Sequence, residues 1–424
     1  MPVFASIQEH LSRLLNEVTG YIYPNEIELH WGLLVVVYPY VTGLVAGAFI
    51  LASLVKVFKV KEVQPTYRMA LLTAMAFLIV APLPLLAHLG HPEKSFEIFL
   101  TPNRSSAMAM FGFVYAWYLM AVLLLEIWFD YRVDMIQWSR ASTGVKKWFY
   151  KALSMFSSDT SERAVRFDEK AATVITIIGI PSAFLLHGYV GFIFGSIKAN
   201  PWWSSVLMPI VFLFSAIVSG IALVLLIYMI VTPVRGKPLD QICLNKLASF
   251  LFYAMIVDFS LETLDFVHRV YESEESIKII SQLVSGKLFG SLVVIQVLMG
   301  MIVPLVSIAW VKTVKAPPEV RRLVYFTSAL LVQVGIFATR WNVVIGGQLF
   351  SKSYRGLTTY KTEIFGIEGL LVSVGLLVLP FLILGLMFKI LPPWDDARIP
   401  LDPQPATAEG AKDGRPGDLQ GTSA

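Results

Sequence analysis

The chain has one cysteine, Cys243, among its 424 residues. That excludes a disulfide within the chain. It also excludes an iron–sulfur cluster held by this chain alone, which takes about four protein ligands. Charge is scarce as well: Asp, Glu, Lys and Arg make up 15%, where soluble chains carry about 25%. Residues 1–22 lack a positive n-region followed by an apolar run, so no secretory signal peptide is expected. Clearly broken helices in paired repeats, a mark of many secondary transporters, are lacking too. The net charge of +4 is small, and nothing points to a nucleic-acid partner.

What is abundant is apolar sequence, 56% of the chain. The expected fold class is an all-α polytopic membrane protein, because helices satisfy their own backbone in lipid. Apolar runs near the bilayer-spanning length of about 20 residues fall at 31–55, 67–88, 107–130, 171–196, 203–232, 244–269, 286–311, 321–347 and 364–390. That is about nine spans, within a range of eight to ten. Residues 25–391 form this bundle. Residues 1–24 form an amphipathic segment, with apolar positions at helical spacing from Phe4 to Val18, suited to the membrane surface or to a partner. Residues 392–424 are Pro, Gly, Ala and polar, and read as a disordered tail.

Alternate linkers carry most of the 34 Lys and Arg, including Lys56, Lys59, Lys61, Lys312, Lys315 and the 132–170 loop. Within that loop, 146–150 reads as an interfacial helix. By the positive-inside rule this side is cytoplasmic, with the N-terminus outside and the C-terminus inside. All six histidines (His10, His30, His88, His91, His187 and His268) then fall outside or in the outer third of a span. So do Arg104, Arg340 and Asn342, which marks the outer face as the chemical one.

Four stretches carry candidate chemistry. Glu28 and His30 begin the first span beside Trp31; a carboxylate near an imidazole can exchange protons with a small redox molecule, or the pair is an interfacial anchor. His88 and His91 lie in a Pro- and Gly-broken exit from the second span, where a capping histidine is the plainer reading. His187, Tyr189 and two glycines sit at membrane depth, where polar groups are costly, before a Pro201-Trp202-Trp203 turn read as an aromatic belt. In the sixth span Asp258, Glu262, Asp265 and Arg269 share about 60° of one face and run about 16 Å inward. Three carboxylates in lipid need water, cations or partners, so a proton path competes with structural pairing, with Arg340 a candidate partner. Glu126 is one continuation of that path. Facing histidines at one depth are lacking, so neither a haem nor another metal site is expected.

Taken together, several segments resemble the NrfD/PsrC family of quinone-interacting membrane subunits. They are His88-Leu89-Gly90-His91-Pro92, Tyr189-Val190-Gly191, Pro201-Trp202, Ser215-Ala216-Ile217-Val218-Ser219-Gly220, Arg340-Trp341-Asn342 and Gly346-Gly347-Gln348. The resemblance covers about residues 25–390. It is greatest to the menaquinone reductase branch of sulfate reducers, with a second sulfate-reducer complex as the close alternative. The family commonly has Asp where His88 stands. The resemblance implies a subunit of a menaquinone oxidoreductase complex in the bacterial inner membrane, without a redox centre of its own. Electrons would come from a periplasmic ferredoxin-like iron–sulfur subunit. A molybdopterin-enzyme-like subunit and a multihaem cytochrome c complete related complexes. Menaquinone would sit near the outer face, by His30, His88 and Tyr189, with Glu28, His91, His187, Arg340 and Asn342 around it. Asp258, Glu262 and Asp265 would carry protons. An ion or solute transporter and a structural membrane anchor are the competing readings.

The absence of a haem site makes a simple prediction. The isolated subunit shows no Soret band in its absorption spectrum; a Soret band that survives purification to homogeneity overturns this.

Overall fold

The computed structural model describes residues 17–103, 105, 106, 109, 115, 117–272 and 276–394. Most of the amphipathic segment with His10, Arg104, much of the first half of the 107–130 run, the Arg269 side chain, and the tail from residue 395 lie outside the described residues. The fold is a helical bundle whose only strands, among the described residues, are two of two residues each. Among those residues eight helices are long and apolar enough to cross a bilayer, and they match eight of the nine expected spans. The chain is an integral membrane protein.

The spans are α1 (Leu33–Lys56), α2 (Lys61–His88), α5 (Glu162–Gly195), α6 (Met208–Val234), α7 (Gln241–His268), α9 (Phe289–Thr313), α10 (Pro318–Gln348) and α11 (Leu370–Ile390). Between them lie α3 (Leu124–Ala141), α4 (Gly144–Leu153) and α8 (Ile277–Ser285). A π-helical stretch, Tyr118–Leu123, leads into α3. The first stretch of α9, Phe289–Ile302, is also π-helical.

Burial ranks the spans. In its apolar stretch α1 is 89% buried, against 28% for α9 and 17% for α11. So α1 is the axis, while α9 and α11 turn most of their apolar surface outward. Such surface is at home in hydrocarbon, where no hydrophobic force drives helices together and close backbone packing does the work instead. That packing is visible where α1 crosses α6. A Cβ on Gly47 would lie 2.0 Å from the Ala216 carbonyl oxygen, and one on Gly220 2.3 Å from the Gly47 carbonyl carbon. Only glycine permits that approach. Gly300 and Gly335 do the same for α9 and α10.

Both ends of the bundle are tied. At the lysine-rich end Arg68 pairs with Asp130 and Asp134, and Arg132 with Asp168, at 2.6 Å each. Helix α5 has 34 residues, about 51 Å at the helical rise, so it outreaches a hydrocarbon core of about 30 Å. It therefore begins nine residues before the expected 171, and its Ser161 cap accepts from Ala164 N–H. Helix α4 leaves Val145, Trp148 and Phe149 exposed, as an interfacial helix does.

At the histidine-bearing end Thr19–Gly20 (β1) pairs antiparallel with Gly356–Leu357 (β2). The Gln348 side chain exchanges two 3.0 Å hydrogen bonds with the backbone of Trp31. Leu33 N–H donates to the Tyr360 hydroxyl at 3.0 Å. The Trp202-Trp203 turn differs from its reading as an aromatic belt. Trp202 Nε1 donates to the Asn342 carbonyl at 2.8 Å and Trp203 Nε1 to that of Val343 at 2.6 Å. Asn200 serves Gly347 at 2.7 Å. The indoles thus cap carbonyls at the end of α10 that have no helical partner, and Trp203 is buried, stacked on Trp31 at 5.2 Å.

The α1–α6 crossing generates a prediction. Gly47→Leu overpacks backbone against backbone and lowers stability by at least about 1–3 kcal/mol. Gly375→Leu on α11 meets open space and serves as control. Unfolding temperatures in detergent test it; equal values for the two variants refute it.

Candidate functional site

Arg340 on α10 is a fully buried arginine. An arginine at membrane depth demands partners. Its Nη2 donates to Ser215 Oγ at 2.6 Å, lies 3.1 Å from His187 Nε2, and reaches the Phe212 carbonyl at 3.5 Å. Its guanidinium lies 4.2 Å over the Phe212 ring. His187, also fully buried, stacks on the same ring and has Nδ1 3.4 Å from Thr42 Oγ1. This holds His187 between α1 and α6, where Gly43 leaves room for the imidazole.

The other side of Arg340 meets the acidic stripe. Asp258 and Glu262 both act on the guanidinium electrostatically, yet neither forms an ion pair with it among the described residues. Both Asp258 oxygens, Glu262 Oε1, and Arg340 Nε and Nη1 are buried without hydrogen-bond partners among those residues. The orphan atoms of Asp258 and Arg340 are what bridging water satisfies in a buried polar site. One cation faces two acids, so the cluster is neutral when the acids share one proton.

From Glu262 the network runs on along hydrogen bonds. Gln296 Nε2 on α9 donates to Glu262 Oε2 at 3.0 Å. Asn342 Nδ2 donates to Gln296 Oε1 at 2.8 Å. Ser291 donates to Asn342 Oδ1 at 2.6 Å. Asp265, nearer the helix end, accepts from Ser205. Beside this wall lies a cavity of about 380 Å³ between α6, α7, α9 and α10.

The remaining candidates sit apart from the network. His187 and Tyr189, two residues apart, are turned about 200° on a helix. The Tyr189 ring stacks on Phe192 and acts electrostatically on Tyr38; Tyr115 donates to the Leu78 carbonyl on α2. His88 Nδ1 pairs with Glu368 Oε1 at 2.8 Å. Gly32 lies close to the same glutamate and to Tyr360, whose phenol is held above its ordinary pKa by burial. His91 pairs with Glu93 in the open at 2.9 Å. Glu28 and His30 are exposed. The candidate residues named from the sequence thus divide between a buried network and the histidine-bearing end, where His88, Glu368, Gly32 and Tyr360 adjoin.

Glu126 belongs to neither. Fully buried, it accepts from Thr176 at 2.7 Å and Tyr67 at 3.4 Å. No chain of hydrogen bonds among the described residues joins it to Asp258. Gln296 and Thr42 were missed by sequence reasoning. Gln296 carried a signal, a lone amide in the apolar run Phe289–Val303; Thr42 carried none. Among the described residues no three His, Cys, Asp or Glu side chains gather in a metal cage.

A family model described as polysulphide reductase, NrfD, matches residues 24–352. The match includes every residue of the buried network and stops short of Glu368. A selenate reductase subunit of Mesobacillus selenatarsenatis is 30% identical over 325 residues, 74% of this chain and 73% of its own length. A putative dimethyl sulfoxide reductase membrane subunit of Halobacterium salinarum is 27% identical over 52% of this chain and 48% of its own. The Hdr-like menaquinol oxidoreductase integral membrane subunit of Archaeoglobus fulgidus is 22% identical over 81% and 77%.

The charge balance around Arg340 is testable. Arg340→Met leaves two buried acids without their cation and costs about 3–5 kcal/mol. Asp258→Asn in the same background removes one acid and recovers part of that loss. Thermal unfolding of the single and double variants measures the coupling; strictly additive effects show that the two groups do not interact.

Proposed function

The chain belongs to the NrfD polysulphide reductase family, and on that premise we propose that it is the quinone-interacting membrane subunit of a respiratory redox complex. The observation that carries this reading is the buried network from His187 through Arg340 to Asp258 and Glu262. Ionisable groups at membrane depth serve proton or ion movement by default, and quinone reduction takes up two protons with two electrons. Menaquinone is the proposed substrate, supported by the name of the Archaeoglobus relative. Its head would lie at the mouth formed by Tyr38, Tyr189, His88 and Glu368, with His30, Glu28 and His91 at the rim. An apolar slot with a few convergent polar groups is what such a head requires.

In this reading the histidine-bearing end is periplasmic, the membrane is the bacterial inner membrane, and the C-terminus is cytoplasmic. Residues 25–391 are the functional bundle. Electrons would arrive from a ferredoxin-like iron–sulfur partner at the periplasmic end. A molybdopterin-enzyme-like subunit and a multihaem cytochrome c are the proposed companions. His88, paired with Glu368, would exchange protons with water at the mouth. His187 and Arg340 would set the electrostatics behind Tyr189. Asp258, Glu262 and Asp265 would pass protons through bridging water.

Two variants test the reading. Tyr189→Phe removes a donor at the mouth, and Glu262→Gln removes a titrating group while keeping its shape. Each lowers quinone turnover by about 10²-fold, the lower range for loss of a general acid or base, while the complex still co-purifies. Wild-type turnover in both refutes the site. Ion flux through the subunit alone, with no quinone dependence, would favour a transporter.

A further inference from the structure

The cavity between α6, α7, α9 and α10 plays no part in the mouth at Tyr189, and it is built like a binding site. Its walls are mostly apolar, with Trp202, Phe259, Phe266 and Val297 among them. Thr263 and Phe266, both on the lining, are exposed on the outer surface of α7, so the cavity opens sideways toward lipid. One wall comes from the π-helical stretch of α9. At the wider π turn, Leu292, Val293, Gln296 and Val297 share a face, and all four line the cavity. π-helical turns recur at functional sites.

The recess measures about 380 Å³ and its lining is mostly apolar, so its occupant is largely apolar. The polar end of the cavity decides which occupant. Asn342 and Gln296 are committed to each other, to Ser291 and to Glu262. Thr339 donates to the Gly335 carbonyl. Glu262 Oε1 is left buried with no partner among the described residues. A phospholipid acyl chain offers that oxygen nothing. A flat head with a hydroxyl or carbonyl edge offers a hydrogen bond to the carboxylate or to the carboxylic acid.

We propose that this cavity is a second ligand site, separate from the Tyr189 mouth, for a prenylated aromatic quinone or quinol whose oxygen meets Glu262 and whose tail leaves past Thr263 and Phe266. The choice of the quinone class rests on the function proposed above; the existence of the site rests on the cavity and the orphan oxygen. No electron transfer is assigned to it.

The experiment is photolabelling of the purified complex with a prenylated azido-naphthoquinone, with labelled peptides located by mass spectrometry. The expected result is label in the 259–266 and 292–297 segments, cut at least tenfold by Val297→Trp or by the milder Val293→Phe, and unchanged by Tyr189→Phe. Label confined to α1, α2 and α5 overturns this proposal and leaves the Tyr189 reading standing. Label in the cavity alone supports it and removes the mouth. Absence of label in both, or excess phospholipid that prevents labelling of the cavity segments, overturns it as well.

Discussion

One guanidinium in hydrocarbon constrains most of this bundle. A charge buried in a membrane-spanning helix is costly, up to about 2.5–3.5 kcal/mol or more where it reaches the bilayer centre, so Arg340 persists only because the surrounding helices supply counter-groups. α5 brings His187, α6 brings Ser215 and the Phe212 carbonyl, and α7 brings Asp258 and Glu262. Those helices must then stay in register. The Gly47–Gly220 contact sets the approach of α1 to α6, and the indole caps on α10 fix the depth at which Arg340 sits. The packing is as tight as it is because a polar group in lipid has few alternatives.

The same network divides the molecule by chemistry. Toward the lysine-rich end the ionisable groups form closed pairs, as Arg68 does with Asp130 and Asp134. Toward the histidine-bearing end several are left open: Asp258 entirely, Glu262 and Arg340 in part. Closed pairs hold a shape. Open ones at membrane depth are free to bind water or a ligand oxygen, and Glu262 also lines the cavity.

Much of this was legible in the sequence, and the illegible part has a physical reason. Hydrophobic runs show length and depth directly, so eight spans and the stripe Asp258–Glu262–Asp265 stood out before any coordinates. Helical period also shows which residues share a face. It does not show which neighbour that face meets, because rotation about the axis is set by contacts far away in sequence. Thus His187 and Tyr189 read as one site though the helix turns them apart, and Arg340 could not be matched to His187, 153 residues away. The Pro201-Trp202-Trp203 turn fitted an interfacial belt by composition, but the uncapped carbonyls of α10 claimed both indoles. Gln296 was visible as an isolated amide; its value as the link from Asn342 to Glu262 was not.

The tie between Gln348 and Trp31 spans 317 residues, and ribosomes work in order. At roughly 5–20 residues per second, α1 waits on the order of 15–60 s in the membrane before the side chain that holds its histidine-bearing end has been made. Its glycine face, shaped for α6, is exposed for most of that time. Biogenesis of this bundle therefore passes through a stage in which its most buried helix is its least protected one, and a helper that shelters small-residue helix faces would act on α1 first.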